Sequence, residues 1–363
     1  MNLMSSFGWI CFGLITGLLC AQSSDSGEGP AEDSLRTMML TSKAVRAAVE
    51  SFQPSLVTIE SFGGMSAVQG RIGGIRKQGE GNTTGVIVSP DGHIVTSTFN
   101  FIQRPPVITV ITHDGVRHVA ELLGRDDTRK ICMLKINAGR MFRPPPMIAT
   151  EQVTVGQWAI SIGVGYGDVN PAASVGIISA KDRVGGRAIQ TDANISPANY
   201  GGPLLDIKGR MLGICVPMNP QSQAIGAGVE WYDSGIGFAI PLAGSEELLK
   251  RLQQGEQIAP AFLGVRAMQN PNGKGVWIEQ VVPGSPADES GISKKDVIIQ
   301  INQEKIQDMM QLKKVLNRFE AGTRIDMTFT SGETGQSKKI QLKLGRVPTP
   351  EGETKPLEVP KIR

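Results

Sequence analysis

Hydroxyls, amines and imidazoles are the side chains that attack or shuttle protons, and this 363-residue chain offers few in catalytic spacing. It has three histidines, His93, His113 and His118. His93 follows a turn, and His113 and His118 flank another at Asp114-Gly115. No two are spaced i, i+4, as two imidazoles on one helical face around zinc would be, so they read as surface turn residues and no metal is expected. The run Gly163-Val164-Gly165-Tyr166-Gly167 is glycine-rich but lies between strands, without the following helix that a phosphate cradle needs. It reads as a loop, and no cofactor is expected. Ser196 with Lys130 or Lys181 would make a serine–lysine dyad only if an amine came within hydrogen-bond reach of the hydroxyl. Serine is also common in turns for purely local reasons.

The stretch Gln190 to Asp206 is the most informative. Two glycines, Gly201-Gly202, precede Leu204-Leu205, and a second apolar run, Met211 to Val216, follows Lys208-Gly209. Such a pattern is a tight loop entering a β-hairpin, with glycine for positive φ and close backbone approach. The stretch resembles the nucleophile loop of trypsin-like serine proteases of the HtrA/Deg family, which reads Asp-Ala-x-Ile-Asn-Pro-Gly-Asn-Ser-Gly-Gly-Pro-Leu. Laid on that pattern, the nucleophilic serine falls on Tyr200, and the glycine whose N–H helps form the oxyanion hole falls on Ala198. Gly85 to Phe99 reads as two short strands around Pro90-Asp91-Gly92. It is similar to the family's Gly-x-Ile-Ile-Ser-x-Asp-Gly-Tyr-Ile-Val-Thr-Asn-x-His, which puts the histidine position on Phe99. Lys130 to Ile136 resembles Asp-Leu-Ala-Val-Leu-Lys-Ile, which puts the aspartate position on Lys130.

Triad chemistry needs a hydroxyl, an imidazole to take its proton, and a carboxylate to orient the imidazolium. A phenol, a phenyl ring and an ammonium stand in those places. The expectation is therefore a pseudoenzyme without serine-protease turnover, in which Phe99 lies between Lys130 and Tyr200 and fills the cleft. The alternative is a serine-type hydrolase using a displaced nucleophile on the same scaffold.

Composition is that of an ordinary globular protein, 40% hydrophobic and 20% charged. The net charge of +3 comes without a long basic block, so no nucleic-acid partner is expected, while an anionic surface partner stays open. Residues 1–21 lack charged side chains and carry an apolar run from Trp9 to Cys20. They read as a signal peptide cleaved near Ala21, and hence as export to the periplasm or beyond. Leu19 occupies the place where lipid attachment at Cys20 wants a small residue. Cys132 and Cys215 fall inside predicted strands; two exported cysteines could pair, but two buried thiols are the simpler reading.

In chain order, 22–42 reads as a flexible tether leading into a helix, from about Ser34 to Phe52, with Val45, Ala48, Val49 and Phe52 at helical spacing. Leu56-Val57-Thr58-Ile59 starts the first strand, and Ser61 to Thr84 is a glycine-rich loop. Short apolar runs separated by turns then continue to Ile240, the signature of all-β barrels rather than of βαβ units. The HtrA/Deg resemblance covers about 43–255 and rests on separate motifs in order, including Gly235-Ile236-Gly237-Phe238-Ala239-Ile240-Pro241. It implies a mainly β protein, a trypsin-like double six-stranded β-barrel, closed by a helix from Pro241 to Leu252.

Residues 260–346 resemble a PDZ domain through Gly275-Val276-Trp277-Ile278, Val281 to Ala287 and Asp296 to Asn302. Asp308 with Gln311 suggests a capping box for a helix carrying Met309, Leu312, Leu316 and Phe319 on one face. The tail, 347–363, is Pro- and charge-rich and reads as disordered. A PDZ domain binds an extended peptide as an added strand and holds its terminal carboxylate on backbone amides. By resemblance the carboxylate loop is Phe262-Leu263-Gly264-Val265 and the groove wall comes from Leu312 and Leu316, although helical spacing fits equally a role in the domain's own core. The implied partners are peptides or protein C-termini and an active HtrA/Deg protease, with a homo-oligomer also implied because family members are often trimers.

Overall fold

The computed structural model describes residues 30–62, 82–101, 105–164, 170–219 and 234–347. The leader with Cys20, most of the tether, most of the glycine-rich loop, Gly165-Tyr166-Gly167 and the tail from Pro348 lie outside the described residues. Helix α1 (Pro30–Phe52) begins four residues before the expected Ser34. Proline suits a first helical turn because its fixed φ is already helical, and Glu32 and Asp33 favour the positive end of the helix dipole.

Strands β1 (Leu56–Phe62), β2 (Thr83–Ile87), β3 (His93–Ser97), β4 (Val107–Ile111), β5 (Arg117–Asp126) and β6 (Ile131–Ile136) form the first barrel. Their order is β5-β4-β1-β2-β3-β6, with β5 also paired to β6. Gly92, at φ +91, makes the β2–β3 turn, and the register sets Gly85 opposite Thr96. The second barrel contains β7 (Trp158–Gly163), β8 (Ala172–Asp182), β9 (Ala188–Thr191), β10 (Pro203–Leu205), β11 (Met211–Val216) and β12 (Gly237–Ile240). These close in the order β10-β11-β12-β9-β8-β7, with the single turn α2 (Arg183–Gly186) between β8 and β9. The expected double six-stranded barrel is present.

Each barrel has its own apolar filling, Val57, Ile94 and Leu134 in the first and Ile178, Ile189 and Leu212 in the second. A third cluster fills the seam, where Val86, Val95 and Met133 meet Ile160, Leu205 and Ile240. Ala48 and Phe52 of α1 and Leu248 and Leu252 of α3 (Glu246–Gln253) cover it. Helix α3 starts later than the expected Pro241. Gly244 takes φ +75 and the Ser245 N–H closes a turn on the Leu242 carbonyl, so the first helical residue is Glu246.

A short strand, β13 (Gln257–Ile258), runs parallel to β5 and leads the chain into the C-terminal domain. There β14 (Val265–Gln269), β15 (Val276–Val281), β16 (Val297–Ile301), β18 (Arg324–Thr330) and β19 (Ser337–Lys343) form one sheet in that order. Strand β17 (Glu304–Lys305) pairs with β16, and α4 (Pro286–Glu289) and α5 (Met309–Leu316) complete the domain. The capping pair forms: Asp308 accepts from the Gln311 N–H at 2.7 Å, and Gln311 accepts from the Gln307 N–H at 2.8 Å.

Glu320, just past α5, joins this domain to the barrels. One oxygen accepts from Arg129 at 3.0 Å and the other from Arg251 at 2.9 Å, while Asp126 and Glu256 balance the two guanidinium groups. Burial works against its charge, but the two arginines outweigh it and hold the carboxyl below its ordinary value. Ala321 also donates its N–H to the Ala259 carbonyl at 2.9 Å. Charge-assisted bonds of this half-buried kind contribute about 1.5–3 kcal/mol. Glu320→Ala is therefore expected to lower the denaturant midpoint of the full chain, by less in 1 M salt, where the junction is already screened. An unchanged midpoint at low salt would remove the junction's claim to hold the domains together.

Candidate active site in the cleft between the barrels

The three positions singled out by the sequence are all buried, at 5% exposure for Phe99, 4% for Lys130 and 3% for Tyr200. Phe99 sits in a single tight turn, Thr98–Phe101, at the end of β3. Its ring meets that of Tyr200 edge to face, with centroids 5.2 Å apart and planes at 77°. Such a pair contributes roughly 0.5–1.5 kcal/mol beyond its area burial. Both rings belong to the apolar cluster of the second barrel, with Ile195, Leu204 and Cys215. The two rings thus pack directly against each other.

Lys130 precedes β6 at φ +60, a conformation uncommon outside glycine. Its carbonyl accepts from the Thr98 N–H at 2.9 Å and from the Ser97 hydroxyl at 3.3 Å, which fixes it against the turn that carries Phe99. Burial, partly opposed by Asp127 and helped by Arg125, brings its amine down to about 8. At that value the group can gain and lose a proton near neutral pH.

The loop that carries Tyr200 is folded inward. The Asn199 N–H donates to the Ser196 carbonyl at 2.8 Å and the Tyr200 N–H to the Pro197 carbonyl at 3.4 Å. The Ala198 carbonyl accepts from the Thr84 hydroxyl at 2.6 Å, and the Tyr200 carbonyl from the Asn100 amide at 3.1 Å. Gly201, at φ +89, donates its N–H to the Cys215 carbonyl at 2.8 Å. A Cβ on Gly201 would strike the Thr96 hydroxyl and the Thr84 carbonyl, so only glycine fits. Beside Tyr200 a small recess with room for about one water molecule lies among Ile195, Val216, Met218, Ile236 and Phe238.

The other candidates take simpler places. Ser196, half-buried, donates its hydroxyl to Asn199 Oδ1 at 2.7 Å, and Lys181 donates to the Val153 carbonyl at 2.9 Å. His93 is more engaged than a bare turn residue: its Nδ1 lies 3.0 Å from Asp91, which also accepts from Ser89 at 2.6 Å and from Lys135 at 3.0 Å. Ser89 and Asp91 both face the same ring nitrogen, whereas a triad sets hydroxyl and carboxylate on opposite nitrogens. The bond from Ser89, against a small burial cost and with help from Lys135 and His93, holds Asp91 far below the carboxylate range, so it is a poor base. His113 is exposed and His118 half-buried on β5. Cys132 and Cys215 are free and buried; burial raises both thiols, Cys132 to about 12.

In the C-terminal domain, Phe262 pairs with Gly345, and the carbonyls of Leu263 and Gly264 accept from Ala287 and Val282. Gly264 takes φ +87, and a Cβ there would collide with Ser285. Leu263 and Leu312 are core residues, while Val265 and Leu316 are only partly covered. Thr84, Asn100 and Glu320 were not singled out by the sequence. Asn100 carried one signal, a polar residue between Phe99 and Phe101.

Residues 83–214 match a trypsin-like peptidase domain and residues 253–329 a PDZ domain. The serine endoprotease DegS of Haemophilus influenzae is 33% identical over 240 residues, covering 63% of this chain and 68% of that protein. The chain belongs to the HtrA/Deg family of trypsin-like proteases with a PDZ domain. A probable periplasmic serine endoprotease, DegP-like, of Chlamydia trachomatis is 32% identical over 289 residues, 74% of this chain and 55% of that protein. The chain thus spans about half the length of such relatives. Among solved structures, a serine endoprotease from Yersinia pestis superposes with TM-score 0.63 at 24% identity, over 84% of this chain and 98% of that one. The HtrA-type protease AlgW with a decapeptide gives 0.61 at 24% identity, over 84% and 99%. The expectation that this HtrA/Deg member is no enzyme is corrected here: its relatives are named serine endoproteases, and the family to which it belongs is one of enzymes. Side-chain replacement at three aligned positions was too narrow a basis for it, since chemistry can move to other groups of a conserved scaffold.

The buried amine gives a pH prediction. Its folded pKa of about 8 lies below the ordinary 10.5, so the unfolded chain holds the proton more tightly. The resulting penalty is fully present below pH 8 and fades as pH rises toward 10.5. Lys130→Met should therefore be more stable than the parent at pH 7, by up to about 3 kcal/mol, with the gap closing above pH 10. Denaturant melts at pH 7, 9 and 10.5 check this; a gap independent of pH would mean the amine is not the source.

Proposed function

We propose that this chain is an extracytoplasmic peptide-handling member of the HtrA/Deg family. Residues 260–346 capture peptides or protein C-termini, and the barrels, 43–255, act on the captured chain as a serine-type hydrolase whose nucleophile is displaced from position 200. The observation that carries the first part is the loop Phe262 to Val265 at the head of β14, with Gly264 at φ +87 beside partly open Val265 and Leu316. Backbone at such a bend can present N–H groups to a carboxylate, while β14, at the edge of its sheet, accepts an extended peptide as a further strand.

In this reading Phe99, Lys130 and Tyr200 stand at the triad positions and Ala198 at the oxyanion glycine. Tyr200 is packed against Phe99, so Ser196 is the available hydroxyl of the same loop. Its proton goes to an amide oxygen in the resting structure, and an amide takes no proton at neutral pH. The amine of Lys130, at about 8, can. The dyad requires that the two come within hydrogen-bond reach. The names of the relatives and the trypsin-like domain support hydrolysis.

Two measurements test the two parts separately. A fluorophosphonate probe should label the full chain, and labelling should vanish in Ser196→Ala while persisting in Tyr200→Phe. No labelling, together with casein left intact relative to a boiled control, would remove the hydrolase part and leave binding untouched. A peptide library should show preference for free C-termini with an apolar last residue. Equal binding of amidated peptides would remove the carboxylate loop at Phe262–Val265.

A further inference from the structure

Asn100 is a polar residue at 2% exposure inside the seam between the barrels. Its amide nitrogen donates to the Thr96 hydroxyl at 3.0 Å and to the Tyr200 carbonyl at 3.1 Å. Because a carbonyl only accepts, Nδ2 must face Tyr200, which fixes the amide's orientation. Oδ1 is then left buried with no hydrogen-bond partner among the described residues. An apolar side chain would avoid that unsatisfied acceptor, so the contribution of Asn100 lies in the two bonds it donates. Thr84 acts beside it: its hydroxyl donates to the Ala198 carbonyl at 2.6 Å and accepts from the Val164 N–H at 2.9 Å, and its carbonyl accepts from Thr96.

The first barrel thus grips two carbonyls of a loop that belongs to the second. Peptide units are planar, so the direction of a carbonyl sets that of the N–H in the same unit. We propose that Asn100, together with Thr84, is a positioning residue for the cleft. It holds the loop in its inward turn, with the Asn199 N–H kept on Ser196 and the Gly201 N–H on Cys215, and so governs whether those N–H groups face a bound peptide. This role stands whether or not Ser196 is the nucleophile, because it concerns backbone direction alone.

The test compares the full chain with Asn100→Leu, Thr84→Val and Thr84→Ser. In native-state hydrogen exchange, N100L and T84V should speed exchange of the amides of 198–202 at least about tenfold, the equivalent of one buried hydrogen bond. T84S, which keeps the hydroxyl, should behave as the parent. The midpoint of global unfolding in N100L should change little, since the orphaned Asn100 acceptor is gone while the Tyr200 carbonyl loses that donor. The sequence has three tyrosines, so fluorotyrosine labelling gives three signals, and Tyr200→Phe assigns the one of interest. That signal should shift or broaden in N100L. Parent-like exchange at 198–202 in both N100L and T84V would overturn the proposal, as would a loss of protection spread evenly over the chain. If N100L does not fold, the contrast between T84V and T84S decides alone.

Discussion

Gly201 lies so close to Thr84 and Thr96 that a single methyl group there has no room. That approach of backbone to backbone is the constraint on which the cleft depends. It lets the loop of the second barrel reach hydroxyl and amide donors of the first, beside the packed rings of Tyr200 and Phe99. Gly85 is crowded in a different way, by side-chain methyls of Ile59 and Ile94 in the barrel wall. The seam is close-packed, so a side chain at one of these places is coupled to its neighbours through volume as well as through bonds.

Two kinds of polar interaction hold the molecule together, and they work under different dielectric conditions. At the seam the bonds are short, neutral and dry, each of modest net strength but costly to break one-sidedly. At the junction with the PDZ domain the bonds join charges at half-buried positions, Glu320 with Arg129 and Arg251. Arg129 is the neighbour of Lys130, so one short segment meets both the cleft and the PDZ domain. Lys130 contrasts with both kinds: a charge placed where burial disfavours it, in a backbone conformation that non-glycine residues seldom take.

The architecture of the family is present in detail, with both barrels and the C-terminal domain in place. Apolar residues around the cleft, such as Ile160, Leu204 and Ile214, are the kind that any double barrel needs, because they fill the walls. Phe99 and Tyr200 join that filling, since both rings lie in the apolar cluster of the second barrel. A shared scaffold does not by itself fix the chemistry, so the reaction must be argued from the groups actually present.

Many strands were legible in the sequence as short apolar runs between turn glycines, and the capping pair at Asp308 is a local signal, while the two kinds of domain were implied by the family resemblance. The glycine-rich loop at 201–202 announced a close approach, and the run of motifs announced the barrels. The extra turn of α1 at Pro30 and the late start of α3 at Glu246 were not legible, since single turn residues decide such ends. Burial of Lys130 was hidden for a stronger reason: a long amine can reach water from most surfaces, and only the packing around this turn denies it that route. Likewise nothing local pairs Thr84 with Ala198, 114 positions apart, or Arg129 with Glu320, 191 apart. The sequence determined which residues lie in strands and which glycines permit contact; the closure of two barrels, and the docking of a third domain on them, decided which polar groups meet, because those bonds exist only where distant segments are brought within 3 Å.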